Sequence, residues 1–216
     1  MNNERPTAAV LDALQLGRKI IRYQNNDIIY RQGDPSDALY YLVDGEVRFR
    51  VLSPNGKAAV VSIMGAGSFF GDDCLVGESP HFTTACSFGE AYVLRLDRQV
   101  MWELLRDNSE LMETFIAFLV NRKTQVLKHL VDHIIYPAEK RLAKQLMLRA
   151  RRAEKSDCNQ PLPKITQEVL AEMVGTTRPR ISFYMKKFRN LGLINYQNGV
   201  LVDKCLADLV ELDAIE

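Results

Sequence analysis

The stretch Ile165–Phe188, ITQEVLAEMVGTTRPRISFYMKKF, decides the fold of the last third of this 216-residue chain. Thr166 is a good N-cap for a helix, because its hydroxyl can accept a hydrogen bond from a backbone N–H of the first turn. The apolar face predicted for this helix consists of Val169, Leu170 and Met173. Gly175 then ends the helix, because glycine adopts the left-handed conformation of a C-terminal cap without steric cost.

A second helix is predicted directly after this glycine. Thr176 or Thr177 can cap it, and Pro179 is tolerated because it falls in the first turn, where its missing N–H costs nothing. The predicted inward face consists of Ile181, Tyr184, Met185 and Phe188. Two helices joined by a short turn that contains glycine are typical of a helix-turn-helix.

A hairpin is predicted to follow the motif. The apolar runs Leu193–Tyr196 and Val200–Asp203 flank Gln197-Asn198-Gly199, and Asn-Gly favours the positive φ angles of a tight turn. A hairpin in this position would be the wing of a winged helix-turn-helix. Residues 204–213 are predicted to close the domain with a short helix.

The second helix of such a motif enters the major groove of DNA, and its N-terminal end meets the base edges. The predicted base-reading residues are Arg178, Pro179, Ser182 and Phe183. Arg178 is the principal candidate, because a guanidinium can bond O6 and N7 of guanine together. Phosphate contacts are predicted for Gln167, Thr177, Arg180, Lys186 and Lys187. Any one of these could equally be an ordinary surface residue, but the set favours DNA.

The distribution of charge also points to a polyanionic partner. The formal net charge is only +1, yet residues 137–192 contain 13 Lys/Arg and 5 Asp/Glu, a net of +8. Such a basic block suggests a surface for double-stranded DNA. No apolar run approaches the roughly 20 residues that span a bilayer, and the first residues lack a signal-peptide layout, so a cytoplasmic protein without a membrane partner is predicted.

The four cysteines, Cys74, Cys86, Cys158 and Cys205, form no CxxC pair. Reduced thiols are therefore the simpler interpretation, and a closed zinc site is not expected. A thiol sensor at Cys74 or Cys86 stays open. The chain shows no nucleophile–base constellation and no phosphate-binding glycine loop, so an enzyme is not predicted.

Residues 18–96 are predicted to form an all-β domain. Short alternating apolar runs lie between turn signals such as Gly33-Asp34-Pro35 and Pro54-Asn55-Gly56. This dense punctuation favours a barrel or roll of antiparallel hairpins. The predicted strands are Asp27–Tyr30, Ala38–Val43, Glu46–Leu52, Ala58–Met64, Thr83–Phe88 and Ala91–Leu96.

Helices are predicted at 97–107, 109–135 and 138–152, with a hinge at Pro137. The long middle helix is apolar over more than half of its circumference. This pattern favours packing on the same helix of a second copy of the chain, although a helix buried within one domain would also explain it. The predicted dimer residues are Leu111, Phe115, Phe118, Leu119, Arg122 and Val126.

Together these segments resemble the cAMP receptor protein/FNR (CRP/FNR) superfamily of bacterial transcription regulators. The matching blocks are Ile29–Pro35, Tyr40–Val47, Gly67–Asp72, Arg141–Ala143 and the helix-turn-helix with its wing. The resemblance implies an α+β fold with a β-roll (double-stranded jelly roll) effector domain at 1–108, a dimerisation helix and hinge at 109–136, and a winged helix-turn-helix domain at 137–216. It also implies a homodimer on a palindromic site, controlled through the roll, with RNA polymerase as a further partner.

The effector is where the chain departs from the family. Cyclic-AMP-binding members use a Gly-Glu pair, a later Arg-Ser/Thr pair and a Thr-Ser pair on the long helix. The corresponding pocket residues here are Gly71, Asp72, Asp73, Thr83, Thr84 and Thr124. The arginine position falls on Phe82 or Thr83, and a buried phosphate without a cation is costly, so ordinary cAMP binding is not expected. Another cyclic nucleotide, a larger cyclic dinucleotide or no ligand stays open.

Other sensors of the superfamily fit no better. The iron–sulfur cluster of FNR-type members needs an N-terminal cysteine group, whereas the first cysteine here is Cys74, so no cluster is predicted. Haem-sensing members use an axial histidine, but His81 is interpreted as a surface-loop residue. His129 and His133 have the i, i+4 spacing of a metal pair, but without a third ligand a solvated helix face is the preferred interpretation.

The base-reading positions depart as well. The cAMP receptor protein pattern is Arg-Glu followed later by Arg, and the FNR pattern is Glu followed later by Ser-Arg. Arg178-Pro179 and Ser182-Phe183 occupy those places here, so the half-site should differ from both. The alternative function is a cyclic-nucleotide-binding regulatory module without DNA function, and the helix-turn-helix argues against it.

Overall fold

The computed structural model describes residues 19–77, 79–155, 165–196 and 200–206. These residues fall into two compact units that divide between Val126 and Leu127, inside the longest helix. The first unit contains two antiparallel sheets and the second contains the helix-turn-helix, so the predicted fold class is confirmed. The domain limits at 108/109 and 136/137 stay predictions. Within the described ranges, no helix is both long and apolar enough to cross a membrane.

The strands of the first unit are β1 Ile20–Tyr23, β2 Ile28–Tyr30, β3 Ala38–Asp44, β4 Glu46–Leu52, β5 Ala58–Gly65, β6 Phe69–Phe70, β7 Thr84–Ser87 and β8 Ala91–Asp97. In the described part of the roll they form two four-stranded sheets, ordered β1-β8-β3-β6 and β2-β7-β4-β5. All six predicted strands are present to within one residue at each end. Sequence analysis missed β1 and β6, because a four-residue edge strand and a two-residue strand are too short to show alternation.

The interior between the two sheets is largely aromatic. Tyr40 stacks on Phe70 with ring centroids 5.1 Å apart, and Phe49 meets Phe70 edge-on at 5.5 Å. Phe49 lies on β4 between two arginines, Arg48 and Arg50. Because side chains alternate along a strand, the buried Phe49 directs both arginines to the other face of their sheet.

The remaining elements are the helices α1 Arg98–Asp107, α2 Ser109–Ile135, α3 Ala138–Lys155, α4 Gln167–Val174 and α5 Arg178–Asn190, the strands β9 Ile194–Tyr196 and β10 Val200–Val202, and short 3₁₀ helices at Asp72–Val76 and Lys204–Leu206. The predicted helices are confirmed, and β9 pairs antiparallel with β10 as a wing hairpin. The hairpin tip Gln197-Asn198-Gly199 and residues 207–213 of the predicted closing helix lie outside the described residues.

Part of the apolar circumference of α2 packs against the roll. Leu111 and Phe115 are 0% and 3% exposed and pack in the core of the roll with Phe69. Phe118 and Leu119 lie partly buried against the same core. The prediction that Leu111 and Phe115 make a dimer contact is therefore wrong, because the roll already covers them.

The second unit has its own apolar core, built by Leu142, Ala143, Leu146, Leu170, Ala171, Val174, Ile181, Met185, Phe188, Ile194 and Leu206. The inward face predicted for α5 is confirmed, with Tyr184 partly buried at its edge. The buried face of α4 differs from the predicted one by a rotation about the helix axis. Ala171 and Val174 are buried, whereas Val169 and Met173 are only partly buried. Helix α4 contacts both α3 and α5, and two partners shift the buried arc away from a single apolar stripe.

Candidate nucleic-acid interface and effector site

The turn between α4 and α5 is fixed by backbone hydrogen bonds. Thr166 Oγ1 accepts from the N–H of Val169 at 3.3 Å, which confirms the predicted N-cap. Gly175 has φ 68° and ψ 46°, and its N–H donates to the carbonyl of Ala171. The N–H of Thr176 donates to that same carbonyl at 3.0 Å. A side chain at position 175 would be strained in this left-handed conformation, so the glycine sets where α5 begins.

The outer face of α5 is a cationic stripe with an aromatic side chain in it. Pro179, Ser182, Phe183 and Lys186 recur at the spacing of one helix face, and all four are exposed. Phe183 is 64% exposed and meets the ring of Tyr184 edge-on at 5.7 Å. The sequence of α5 contains five Lys/Arg and no Asp/Glu. This face can contact phosphates through its cations and thymine methyl groups through Phe183.

Arg178 lies at the first residue of α5 and is held by a carboxylate. Its Nε is 2.8 Å from Oε1 of Glu168, and the two side chains are 67% and 54% exposed. A backbone hydrogen bond at the start of α4 lowers the pKa of Glu168, and the side chain of Thr166 and the charge of Arg178 add to this effect. The contact uses Nε, and a guanidinium has two further nitrogens that can donate hydrogen bonds.

Some of the residues predicted to contact phosphates are exposed, and others are partly buried or form an ion pair within the protein. Thr177, Arg180 and Lys186 are exposed, whereas Gln167 is partly buried. Lys187 forms an ion pair with Glu139 of α3, with Nζ 2.8 Å from Oε1. This pair ties α5 to α3 inside the second unit, so the structure gives Lys187 a positioning role that its sequence did not reveal.

Arg141 has a positioning role that local sequence patterns did not reveal. Its guanidinium donates to the carbonyl of Val174 at 3.0 and 2.9 Å and to that of Tyr136 at 2.7 Å. These carbonyls belong to the C-terminal ends of α4 and α2, where the helix dipole favours a cation. Arg141 therefore fixes the glycine turn before the recognition helix to the end of α2.

The loop after β6 contains four of the six predicted effector residues, Gly71, Asp72, Asp73 and Thr83. Gly71 has φ 78°, and a Cβ there would lie 2.9 Å from the ring of Tyr40 and 3.0 Å from the carbonyl of Ala38, so only glycine fits. The carboxylate of Asp72 forms an ion pair with the guanidinium of Arg122 on α2. Arg122 was predicted to lie at the dimer contact; its guanidinium meets the loop, and its role in a dimer stays a prediction.

His81 is not a surface-loop residue as predicted, since it is only 2% exposed. Its ring stacks on Tyr30 with centroids 3.6 Å apart and planes 10° from parallel. Its Nδ1 lies 3.6 Å from Oδ2 of Asp73. Burial lowers the pKa of His81, and Asp73 offsets part of this effect. The imidazole thus fills space beside the loop as a neutral, packed ring.

The three predicted threonines do not converge. Thr83 hydrogen-bonds to the hydroxyl of Tyr30, beside His81. Thr84, on the other face of β7, accepts a hydrogen bond from the N–H of Gln32 at 3.0 Å. Thr124 is exposed and its hydroxyl donates to the carbonyl of Val120 in its own helix at 3.1 Å. Gly71, Asp72, Asp73 and Thr83 therefore share one neighbourhood that Thr84 and Thr124 do not join.

The thiol of Cys74 is poorly suited to sense oxidants. The residue is 0% exposed, and burial raises its pKa to about 12, with Asp72 adding to the shift. Oxidation requires an accessible thiolate, which this environment disfavours.

His133, the second histidine of the i, i+4 pair, has a structural partner, because its Nδ1 lies 2.9 Å from the carbonyl of His129.

The geometry defines a two-domain regulator: a β-roll of effector type followed by a helix-turn-helix with an exposed cationic recognition helix. Two family profiles match in the same order, the cyclic nucleotide-binding domain at residues 20–108 and the Crp-like helix-turn-helix domain at residues 140–210. The chain therefore belongs to the CRP/FNR superfamily of transcription regulators.

Relatives extend this match over most of the chain. It is 25% identical over 179 residues to the CRP-like cAMP-activated global transcriptional regulator of Mycobacterium tuberculosis, covering 82% of this chain and 80% of that protein. It is 25% identical over 190 residues to the Cyclic AMP receptor protein of Thermus thermophilus, covering 88% and 86%. Its fold is similar to that of the c-di-GMP responsive global regulator CLP of Xanthomonas campestris, with a TM-score of 0.79, 19% identity and coverage of 90% and 98%.

Proposed function

We propose that the protein is a homodimeric transcription regulator that places α5 of each subunit in the major groove of a palindromic DNA site. The observation that carries this proposal is the outer face of α5, where exposed cations surround Phe183 and no carboxylate belongs to the helix. Arg178 reads a base, while Arg180 and Lys186 contact phosphates and set affinity rather than sequence preference. RNA polymerase is the proposed protein partner of such a regulator.

The free side of α2 supports the dimer. Its exposed large apolar residues are Ile116, Val120, Val126, Leu127, Leu130, Val131, Ile134 and Ile135. Most follow a spacing of three or four residues, in two groups at 116–120 and 126–135 that Lys123 and Thr124 separate. An apolar stripe of this length on a helix that already packs elsewhere is best covered by a second copy of the same stripe.

The proposed effector is not cAMP bound in the ordinary way. Phe82, at one of the two positions expected for the phosphate-binding arginine, is 69% exposed and uncharged. Asp72 is already paired with Arg122, and His81 packs on Tyr30 beside the same loop. The family of the domain still makes cyclic nucleotides and dinucleotides the first ligands to screen. Calorimetry with cAMP, cGMP and c-di-GMP tests this, and tight cAMP binding would show that the loop rearranges.

Selection of binding sites from random-sequence DNA duplexes tests the proposed DNA function. The full-length protein should enrich a palindrome whose half-site centres lie about 10 base pairs apart. Arg178→Ala should lose preference at one symmetric base pair while retaining the rest of the site. Lys186→Ala, the matched control on the same face, should weaken binding to all sequences and flatten its salt dependence without changing preference. No enriched sequence with the wild-type protein would contradict the proposal.

A further inference from the structure

A second candidate site lies on the outer face of the sheet β2-β7-β4-β5, away from the effector loop. A cavity of about 400 Å³ opens there. It is lined by Asn26, Ile28, Arg31, Arg48, Arg50, Val51, Leu52, Ala58, Thr84 and Cys86. Three of these ten residues are arginines and none is Asp or Glu. The volume lies within the range of small-molecule sites in proteins.

The register of the sheet brings the lining residues together. On β4, Arg48 is paired across from Cys86 of β7 and Arg50 across from Thr84. On the other side of β7, Ile28 of β2 is also paired with Cys86. Arg31 follows β2 directly and lines the same cavity. The sheet therefore fixes the positions of Arg48 and Arg50, and Arg31 lies at the end of the neighbouring strand β2.

Arg48 is a buried cation whose partners are neutral. The residue is 7% exposed, and its Nη2 donates to Oδ1 of Asn26 at 3.0 Å and to Sγ of Cys86 at 3.6 Å. Its guanidinium also lies 5.6 Å from the ring centroid of Phe88. Its Nε is buried and has no hydrogen-bond partner among the described residues. A buried charge whose partners in the described part of the chain are neutral is costly, and an anion in the cavity would lower that cost.

The rim of the cavity is apolar. Ile28 and Leu52 are 41% and 58% exposed, and Val51 and Ala58 complete this side of the lining. Guanidinium groups bind phosphate oxygens through paired hydrogen bonds, and exposed aliphatic side chains can cover the organic part of a ligand. The combination fits a phosphorylated organic molecule better than an inorganic ion.

We propose that this arginine cavity binds a small phosphorylated organic anion, with Arg31, Arg48 and Arg50 contacting the phosphate groups and Ile28 and Leu52 covering the organic moiety. The site belongs to the β-roll alone and requires neither DNA nor a second subunit. It is a different place from the effector loop, which carries Asp72 and Asp73 where this cavity carries arginines.

Isothermal titration of the full-length protein with ADP and with inorganic pyrophosphate tests the proposal. ADP should bind saturably and more tightly than pyrophosphate, because only ADP reaches the apolar rim. Arg31→Gln and Arg50→Gln should each weaken ADP binding about tenfold, the usual loss for one charged hydrogen-bonding partner. Arg31 is the principal variant, since it is exposed and its replacement leaves the core of the roll intact.

Two controls separate this cavity from other basic surfaces. Arg106→Gln changes an exposed arginine of α1 outside the cavity and should leave ADP affinity unchanged. Arg178→Gln should also leave it unchanged. If Arg178→Gln abolishes ADP binding while Arg31→Gln and Arg50→Gln do not affect it, the anion binds the recognition helix and the proposal is wrong. Equal affinity for ADP and pyrophosphate would overturn the organic ligand, and no saturable binding of either would overturn the site.

Discussion

The carboxylate of Asp72 and the guanidinium of Arg122 form an ion pair that joins the loop after β6 to the long helix α2. Their side chains are 31% and 29% exposed, so water screens the pair only in part. In this chain the cation next to the effector loop comes from α2 and not from the loop itself. A movement of the loop would therefore act on α2, the helix proposed to form the dimer, through this ion pair.

A double-mutant cycle measures this contact. Arg122→Gln and Asp72→Asn should each destabilise the protein, and urea denaturation should give a coupling free energy of about 1 kcal/mol between them, the upper end for partly exposed pairs. The control is a second cycle that combines Asp72→Asn with Arg106→Gln. Its coupling free energy should be near zero, because Arg106 is exposed on α1. A coupling near zero for the first cycle as well would mean that the pair does not contribute to stability.

The sequence predicts the elements of this fold much better than their contacts. Strands such as Glu46–Leu52 and the caps Thr166 and Gly175 follow from local patterns, and the structure confirms them. The burial of His81 depends on Tyr30, which is distant in sequence, and no periodicity reveals such a contact. The contact between Arg122 and Asp72 was missed for a related reason, because the helical pattern cannot show which side of α2 the roll covers.

The binding residues divide in the same way. Arg178 and Phe183 can be proposed from sequence because a helix-turn-helix has a fixed spacing between its turn and its base-reading positions. The roles of Arg141 and Arg48 were missed because each depends on tertiary neighbours, the carbonyl of Val174 for one and the thiol of Cys86 for the other. The one available signal for Arg48 was the alternation of side chains along β4. It shows that Arg48 and Arg50 share the face of the strand opposite to the core residues Val47 and Phe49.

Burial of His81 predicts that stability falls in mild acid. The pKa of His81 is lowered in the folded protein, so between its folded and unfolded values the unfolded chain binds the proton and the folded chain does not. The free energy of unfolding should therefore decrease as the pH falls from about 7.5 to about 5.5. His81→Phe, which keeps an aromatic ring against Tyr30, should reduce this slope in urea denaturation. His129→Gln, on an exposed part of α2, should retain it, and identical slopes for both variants would contradict the assignment.

Glu168 is predicted to restrain Arg178 and so to sharpen its base preference. Glu168→Gln removes a negative charge 2.8 Å from the guanidinium. Binding to random DNA should become several-fold stronger, because repulsion between the carboxylate and phosphate is lost, while preference at the base pair read by Arg178 should weaken. Competition gel shifts measure both quantities. Glu172→Gln, which removes the same charge from α4 outside this pair, is the control that should leave base preference intact.

The stripe on α2 predicts a dimer that one charge can dissociate. Leu130 is 54% exposed on the stripe, and Leu130→Glu would place a carboxylate in the apolar interface. The dimer dissociation constant measured by analytical ultracentrifugation should rise by about 30-fold or more, the effect of losing a central interface residue. Gln125→Glu makes the same charge change off the stripe and should leave the dimer intact. A monomeric wild-type protein would contradict the interface.

Arg141 is predicted to be a sensitive position of the second unit. Arg141→Met keeps the aliphatic length but removes the hydrogen bonds to the carbonyls of Val174 and Tyr136. The unfolding free energy of this unit should fall by about 2–3 kcal/mol, because two helix ends lose a charged donor and their carbonyls stay partly buried. Arg141→Lys should recover only part of the loss, since an ammonium cannot span both carbonyls with the planar fork of a guanidinium.

The same variants separate stability from DNA recognition. Since the carbonyl of Val174 lies directly before Gly175, release of Arg141 should loosen the turn and weaken specific DNA binding at temperatures well below unfolding. Hydrogen exchange should show this as faster exchange at the N–H of Thr176, which bonds to Ala171 at 3.0 Å, before α5 itself exchanges. If Arg141→Met lowers stability but leaves exchange at Thr176 and the selected DNA site unchanged, Arg141 supports the fold without positioning the recognition helix.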